Sequence, residues 1–143
     1  EATAAALRDG WCHTGDLGMM DADGYFYVVD RAKDMLISGG LNVYPAEIER
    51  TLAGLPGVIE LAVIGVPDAN WGETPAVIAV APAGSVSGKD IMDRCKGILA
   101  DFKLPRYLVV RDQPLPRNMS GKVLKADLRK QYADLPSTTK PIR

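Results

Sequence analysis

The sequence predicts an α+β domain: a small hairpin-like unit, then a β-α-β-β-α-β-α order around one small mixed sheet flanked by helices. Three observations predict it. Apolar runs at 58–66, 75–81 and 107–111 read as strands. Between and after them, apolar residues recur at helical spacing, as in Ile48, Leu52 and Leu55, or Leu124, Leu128 and Tyr132. Finally, 143 residues of which 47% are hydrophobic suffice for one compact core.

Taken in order, residues 1–10 read as a helix ending at Gly10. Asp23-Gly24 supplies a turn, and the aromatic and β-branched residues up to Asp30 read as a strand. A polar connection, Asp30 to Asp34, leads to a short apolar strand, Met35-Leu-Ile-Ser, which Gly39-Gly40 breaks. Pro45 suits the first turn of a helix, with Glu47 and Glu49 near its positive end and Gly54 or Gly57 closing the segment. Val58 to Val66 is a strand ended by Pro67-Asp68, and Pro75 to Ala81 is the next. Ser87-Gly-Lys-Asp90 has the pattern of a capping box, after which Ile91, Cys95, Ile98 and Leu99 mark one helix face. Tyr107 to Arg111 is the last strand, and a final helix carries Leu124, Leu128 and Tyr132. The expected division is 1–32 for the end of a preceding region and its connecting hairpin, 33–135 for the main domain, and 136–143 for a disordered tail.

Composition narrows the functional classes. No apolar run approaches the ~20 residues of a membrane helix, and the first residues lack a basic leader followed by an apolar stretch. The chain does not begin with Met, so a fragment of a longer protein is expected. Cys12 and Cys95 stand in no ligand spacing and read as two free thiols of a cytoplasmic protein. With one histidine and two cysteines, a structural zinc site is not expected. The net charge of −1 hides an asymmetry. Residues 1–102 hold 7 basic and 15 acidic side chains, for −8, while 103–143 hold 10 and 3, for +7. The basic part suits phosphates or an acidic surface as well as a solvated helix face.

Three segments combine glycine with charge where the hydrophobic pattern breaks. In Trp11-Cys-His-Thr-Gly-Asp-Leu-Gly18, Asp16 follows a glycine in a turn, where a carboxylate can accept two hydrogen bonds from a vicinal diol or simply form the turn. In Asp30 to Glu49, the Gly39-Gly40 pair lets the backbone pass close to a ligand, or makes a plain turn into a helix. In Pro116-Arg-Asn-Met-Ser-Gly-Lys-Val-Leu-Lys125, Lys122 follows Ser-Gly just before a helix, where it can meet an anion or lie solvated. The last is not a P-loop: the first glycine is missing, and no Ser or Thr follows the lysine.

In this order and spacing the three segments resemble the adenylate-forming superfamily of acyl-CoA synthetases, luciferases and peptide-synthetase adenylation domains, from about Asp9 to Tyr132. The run Ser38-Gly-Gly-Leu-Asn-Val-Tyr-Pro-Ala-Glu-Ile-Glu49 is most similar to the acyl-CoA and aryl-CoA synthetase branch. The resemblance implies the mobile C-terminal lid of an enzyme that joins a carboxylic acid to CoA, consuming ATP and releasing AMP and diphosphate. It implies that Asp16 and Arg31 bind the ribose of ATP, that Lys33 is the hinge, and that Lys122 is the lysine of adenylation. Gly39 and Gly40 line the CoA pantetheine tunnel, and Trp71, Phe102 and Arg106 fall where some relatives contact the CoA nucleotide. Mg²⁺ accompanies ATP without ligands from this chain. The implied partners are a carboxylic acid, ATP, CoA and the chain's own N-terminal domain, with no nucleic acid and no membrane span. The fragment alone is expected to be inactive. Cys12, Leu41 and Leu104 depart from the pattern, standing where an aromatic, a Glu and, in some relatives, a basic residue occur. A carrier-protein-loading domain, a luciferase-like enzyme and a stand-alone binding module of the same fold are the alternatives.

Overall fold

A computed structural model describes residues 1–143, apart from the side chain of Ala2. The chain is mixed α+β, as its sequence predicts. It begins with a short helix, α1 (Ala2–Ala6), then strands β1 (Leu7–Arg8) and β2 (Trp11–Cys12), which pair antiparallel. The expected helix over 1–10 therefore stops at Ala6. Asp9, at φ +54°, and Gly10, at φ +78°, both take the left-handed conformation of a tight hairpin turn, which no continuing helix permits. Strands β3 (Asp16–Met20) and β4 (Phe26–Arg31) form a second hairpin, closed by Asp21. The Asp21 carboxylate accepts the Tyr25 N–H at 2.9 Å and the Tyr27 hydroxyl at 2.7 Å. The Tyr27 bond is the main cause holding the Asp21 carboxyl below its ordinary value.

The main unit contains β5 (Leu36–Ser38), β6 (Leu41–Val43), α2 (Pro45–Leu52), β7 (Glu60–Asp68), β8 (Gly72–Val80), α3 (Gly88–Cys95), β9 (Tyr107–Arg111), α4 (Lys125–Gln131) and α5 (Leu135–Thr138). β8 pairs antiparallel with β7 along its full length. Its other edge meets β5 at Gly72 and then β9, in parallel, from Ala76 to Val80. Each face of this sheet is covered, which is why β7 and β8 read as nearly continuous apolar runs. Strand alternation sends Val63, Val77 and Ala79 toward α2 and α3, where they pack with Ile48, Leu52, Ile91 and Cys95. Ala62, Ile64, Val66, Ala76 and Ile78 face the other way, onto Leu128 of α4 and Leu135 of α5. No helix is long and apolar enough to cross a membrane.

Several local expectations are corrected. Gly39-Gly40 does not only end a strand. With φ +58° and +81° it forms the two-residue turn of a hairpin, and β6, which pairs Leu41 back onto Ser38, was not expected. Pro67-Asp68 does not end β7, which runs through both residues. α2 stops at Leu52 and α3 at Cys95, so Leu55 is buried from a loop while Ile98 is exposed. The capping box is present: Ser87 Oγ accepts the Asp90 N–H, and the Asp90 carboxylate accepts the Ser87 N–H at 2.9 Å. The tail, expected to be disordered, is placed against the domain. Ile142 donates its N–H to the Arg106 carbonyl at 2.8 Å, and its side chain lies so close to Gly88 that a Cβ there would sit 2.6 Å from it. Both cysteines are free, Cys12 exposed and Cys95 buried, and burial pushes the Cys95 thiol up to about 11.

Candidate functional site

Two groups of sequence-selected residues gather at opposite ends of the β7–β8 hairpin. Antiparallel pairing sets Asp16 of β3 opposite Arg31 of β4, and the Asp16 carboxylate lies 3.5 Å from the Arg31 Nε. Arg31 then lines a groove of about 330 Å³ with Lys33, Asp34, Asn118, Lys122, Lys125 and Arg129. Five cations border it. Asp34 holds Arg129 at 3.1 Å and Glu49 holds Lys125 at 2.7 Å, which leaves Lys33 and Lys122 without a carboxylate partner among the described residues. Both are exposed. A groove with surplus positive charge on free lysines suits an anionic ligand such as a phosphate.

The Lys122 loop is built rigidly. Asn118 Oδ1 accepts the Ser120 N–H at 3.1 Å and the Lys122 N–H at 2.9 Å, while the Asn118 N–H reaches back to the Lys122 carbonyl at 3.0 Å. Gly121, at φ +81°, turns the chain where a side chain would be strained. Below the turn, Arg117 donates to the Gly121 carbonyl at 2.6 Å and pairs with Glu60 at the start of β7. Glu60 also accepts the Leu115 N–H at 2.9 Å, and that bond is the main cause lowering its carboxyl below the ordinary value. Lys122 thus projects from a loop whose backbone is fixed and whose ammonium is free.

The hinge candidate Lys33 stands in a turn in which the N–H groups of Asp34 and Met35 both point to the Arg31 carbonyl. Its neighbours are anchored. Asp30 accepts the Ala46 N–H at 2.9 Å, filling a first-turn donor of α2 that the N-cap Tyr44 leaves open.

At the other end, Gly39 lies under the Trp71 ring. A Cβ on Gly39 would sit 2.5 Å from a ring carbon, and the Gly39 N–H bonds the Trp71 carbonyl at 2.9 Å. Asp68 sets this turn, its Oδ1 accepting the N–H groups of Asn70 and Trp71 at 2.9 and 3.1 Å. Its Oδ2 lies 3.5 Å from the Arg106 Nε, an ion pair without hydrogen-bond geometry, since that buried nitrogen has no bonding partner. Partial burial, then the charge of Arg106, lower Arg143 from its ordinary value. Phe102 is not drawn into it by any described contact. It packs, half-buried, against the core between the sheet and α2 and α3, with the Lys103 ammonium 5.7 Å from its ring centroid. Leu104, which departs from the pattern of some relatives, is buried core. Among the described residues no group of three or more His, Cys, Asp or Glu gathers.

Sequence reading missed Glu60, Asn118 and Asp68. Two carried a signal. Glu60 is a charge beginning a buried apolar strand, which demands a partner, and Asp68-Ala-Asn70 is an Asx-turn pattern. The Glu60–Arg117 pairing spans 57 residues and had none.

Residues 47–122 match the model of the AMP-binding enzyme C-terminal domain. The chain is 52% identical, over 133 residues, to a long-chain-fatty-acid–CoA ligase, FadD13, of Mycobacterium tuberculosis, a match covering 93% of this chain and 26% of that protein. It is 50% identical to a feruloyl-CoA synthase of Amycolatopsis sp, covering 92% and 27%. The structure superimposes on ATP-bound MatB from Rhodopseudomonas palustris with a TM-score of 0.81 at 42% identity, over 94% of this chain and 27% of that one. The chain spans about a quarter of the length of these relatives. The chain therefore belongs to the C-terminal domain family of AMP-binding enzymes, among relatives that are acyl-CoA ligases.

Proposed function

We propose that this chain is the lid of an ATP-dependent acyl-CoA synthetase, serving two half-reactions from its two ends. The observation that carries this reading is the separation of the two sites. The Lys122 loop is anchored at Glu60 and the Gly39–Trp71 contact at Asp68, eight residues apart on β7. At a strand rise near 3.3 Å this is roughly 26 Å. One rigid domain cannot present both ends to a single pocket at once, so a rotation about Lys33 would exchange them.

In the first half-reaction a carboxylate attacks the α-phosphate of ATP, and two anions must approach. Positioning and charge compensation supply the catalysis. Lys122 bridges the carboxylate and α-phosphate oxygens, while Asp16 and Arg31 hold the ribose. The shared groove of Arg31 and Lys122 supports this arrangement as the adenylating orientation. In the second, the CoA thiol attacks the acyl-adenylate carbonyl. The open space at Gly40 leaves room for the pantetheine arm along a turn that Trp71 packs from the Gly39 side, and Trp71 and Arg106 would contact the CoA nucleotide. Mg²⁺ would be held with ATP by residues outside this chain. The fragment alone offers one wall of each site and is expected to be inactive.

The test uses the full-length enzyme, a panel of straight-chain and aromatic carboxylic acids, and AMP release. Lys122→Ala should slow adenylate formation by roughly 10²–10³, the scale for one transition-state charge contact, and spare CoA transfer to a supplied acyl-adenylate. Equal loss of both steps, or no AMP release by the wild type with any acid, overturns the reading.

A further inference from the structure

The geometry points to Glu60 and Arg117 as positioning residues for Lys122: a carboxylate at the mouth of β7 that, through one guanidinium, fixes the turn presenting the ammonium. This inference rests on the proposed adenylating role of Lys122 and adds the device that aims it. Neither residue lines the groove, yet Arg117 bonds the loop directly and Glu60 holds it through Arg117 and Leu115. Arg117 pairs with Glu60 on one side and donates to the Gly121 carbonyl at 2.6 Å on the other. Arg117 also bridges antiparallel to Val123, so its backbone and side chain clamp the same turn from below. Glu60 is fixed in turn by the Leu115 N–H at 2.9 Å. Two segments that enter and leave the turn, Leu115–Arg117 and Gly121–Val123, are thus tied to one carboxylate.

The physical need is clear. Lys122 has four rotatable side-chain bonds and no carboxylate partner among the described residues, so only its backbone can limit where the ammonium goes. Asn118 closes the turn internally but does not orient it relative to the sheet. The Glu60–Arg117 pair is the polar link between the turn and β7, and a rigid frame of this kind is what keeps a reacting group within its productive geometry.

The experiment uses the full-length enzyme with Arg117→Ala, Arg117→Lys, Glu60→Gln, Lys122→Ala and the Arg117→Ala/Lys122→Ala double variant. Arg117→Ala should lower the adenylation kcat by roughly tenfold to a hundredfold, the cost of misplacing a catalytic group, with KM for ATP and CoA transfer from supplied adenylate unchanged. The double variant should be no slower than Lys122→Ala, because the two act as one unit. Arg117→Lys should recover part of the rate. Hydrogen exchange gives a readout that needs no acid: the Gly121 and Lys122 amides should lose protection in Arg117→Ala and Glu60→Gln, while the Gly39 amide keeps it. Equal loss of both half-reactions, additive loss in the double variant, or unchanged protection of the loop overturns the inference. If Lys122→Ala leaves adenylation intact, the functional reading fails instead.

Discussion

The two ends of the β7–β8 hairpin solve the same problem, holding a ligand-facing turn, with different materials. At the Glu60 end the turn is fixed by charge and hydrogen bonds, and it presents a long, free cation. At the Asp68 end a glycine turn lies against an indole ring, which fills the place a Gly39 side chain would take. The polar clamp fixes the backbone of its turn and leaves the lysine side chain beyond it free to move, whereas close packing holds the glycine turn itself in place. The difference teaches that one small sheet can carry a mobile cation and a closely packed turn because its paired strands hold them apart.

The strongest break of this comparison is at the hinge. Lys33→Pro fixes φ at a residue whose N–H is not among the donors of its turn, so the fold should survive while rotation is blocked. In the full-length enzyme adenylate formation should persist and thioester formation should fail; an unchanged overall rate would remove the hinge from Lys33. A smaller effect separates backbone strain from ring contact. Gly39→Ala and Gly40→Ala both put a side chain at positive φ, but only the first drives a Cβ into Trp71. Each should lose about 1–3 kcal/mol of stability from strain, with Gly39→Ala the larger loss, and denaturant unfolding of the two variants checks the order. The smallest effect is the acid limb of the clamp. The Glu60 carboxyl is lowered from its ordinary value of 4.5, so its stabilising contribution is complete above that value and is lost as pH falls through the lower folded value. Glu60→Gln should flatten the pH dependence of stability in that acid window, as thermal unfolding between neutral and acid pH would register.

How much of this was legible in the chain follows from the range of each interaction. Helix α2, the capping box before α3, and strand β9 were readable because periodicity, caps and turn residues act within a few positions. The apolar runs of β7 and β8 announced burial on both faces. Lys122 and the Gly pair were legible as motifs, and the structure shows an exposed lysine and a two-residue glycine turn there. The helix over 1–10 was misread because Gly10 was taken as its end, whereas Asp9-Gly10 makes the turn of a hairpin that pairs β1 with β2. The contact of Ile142 with Gly88, 54 residues away, is one that composition does not reveal.

The sequence by itself determined most strands and helices of the main unit and the motifs, since apolar spacing and local backbone preferences are properties of neighbouring residues. Only the tertiary structure decided that Glu60 grips Arg117, that Asp68 joins the Trp71 turn to Arg106, and that Arg31, Lys33 and Lys122 share one groove. Those pairings depend on which strand ends the folded sheet brings together, and charge–charge contacts between distant segments leave no periodic trace along the chain.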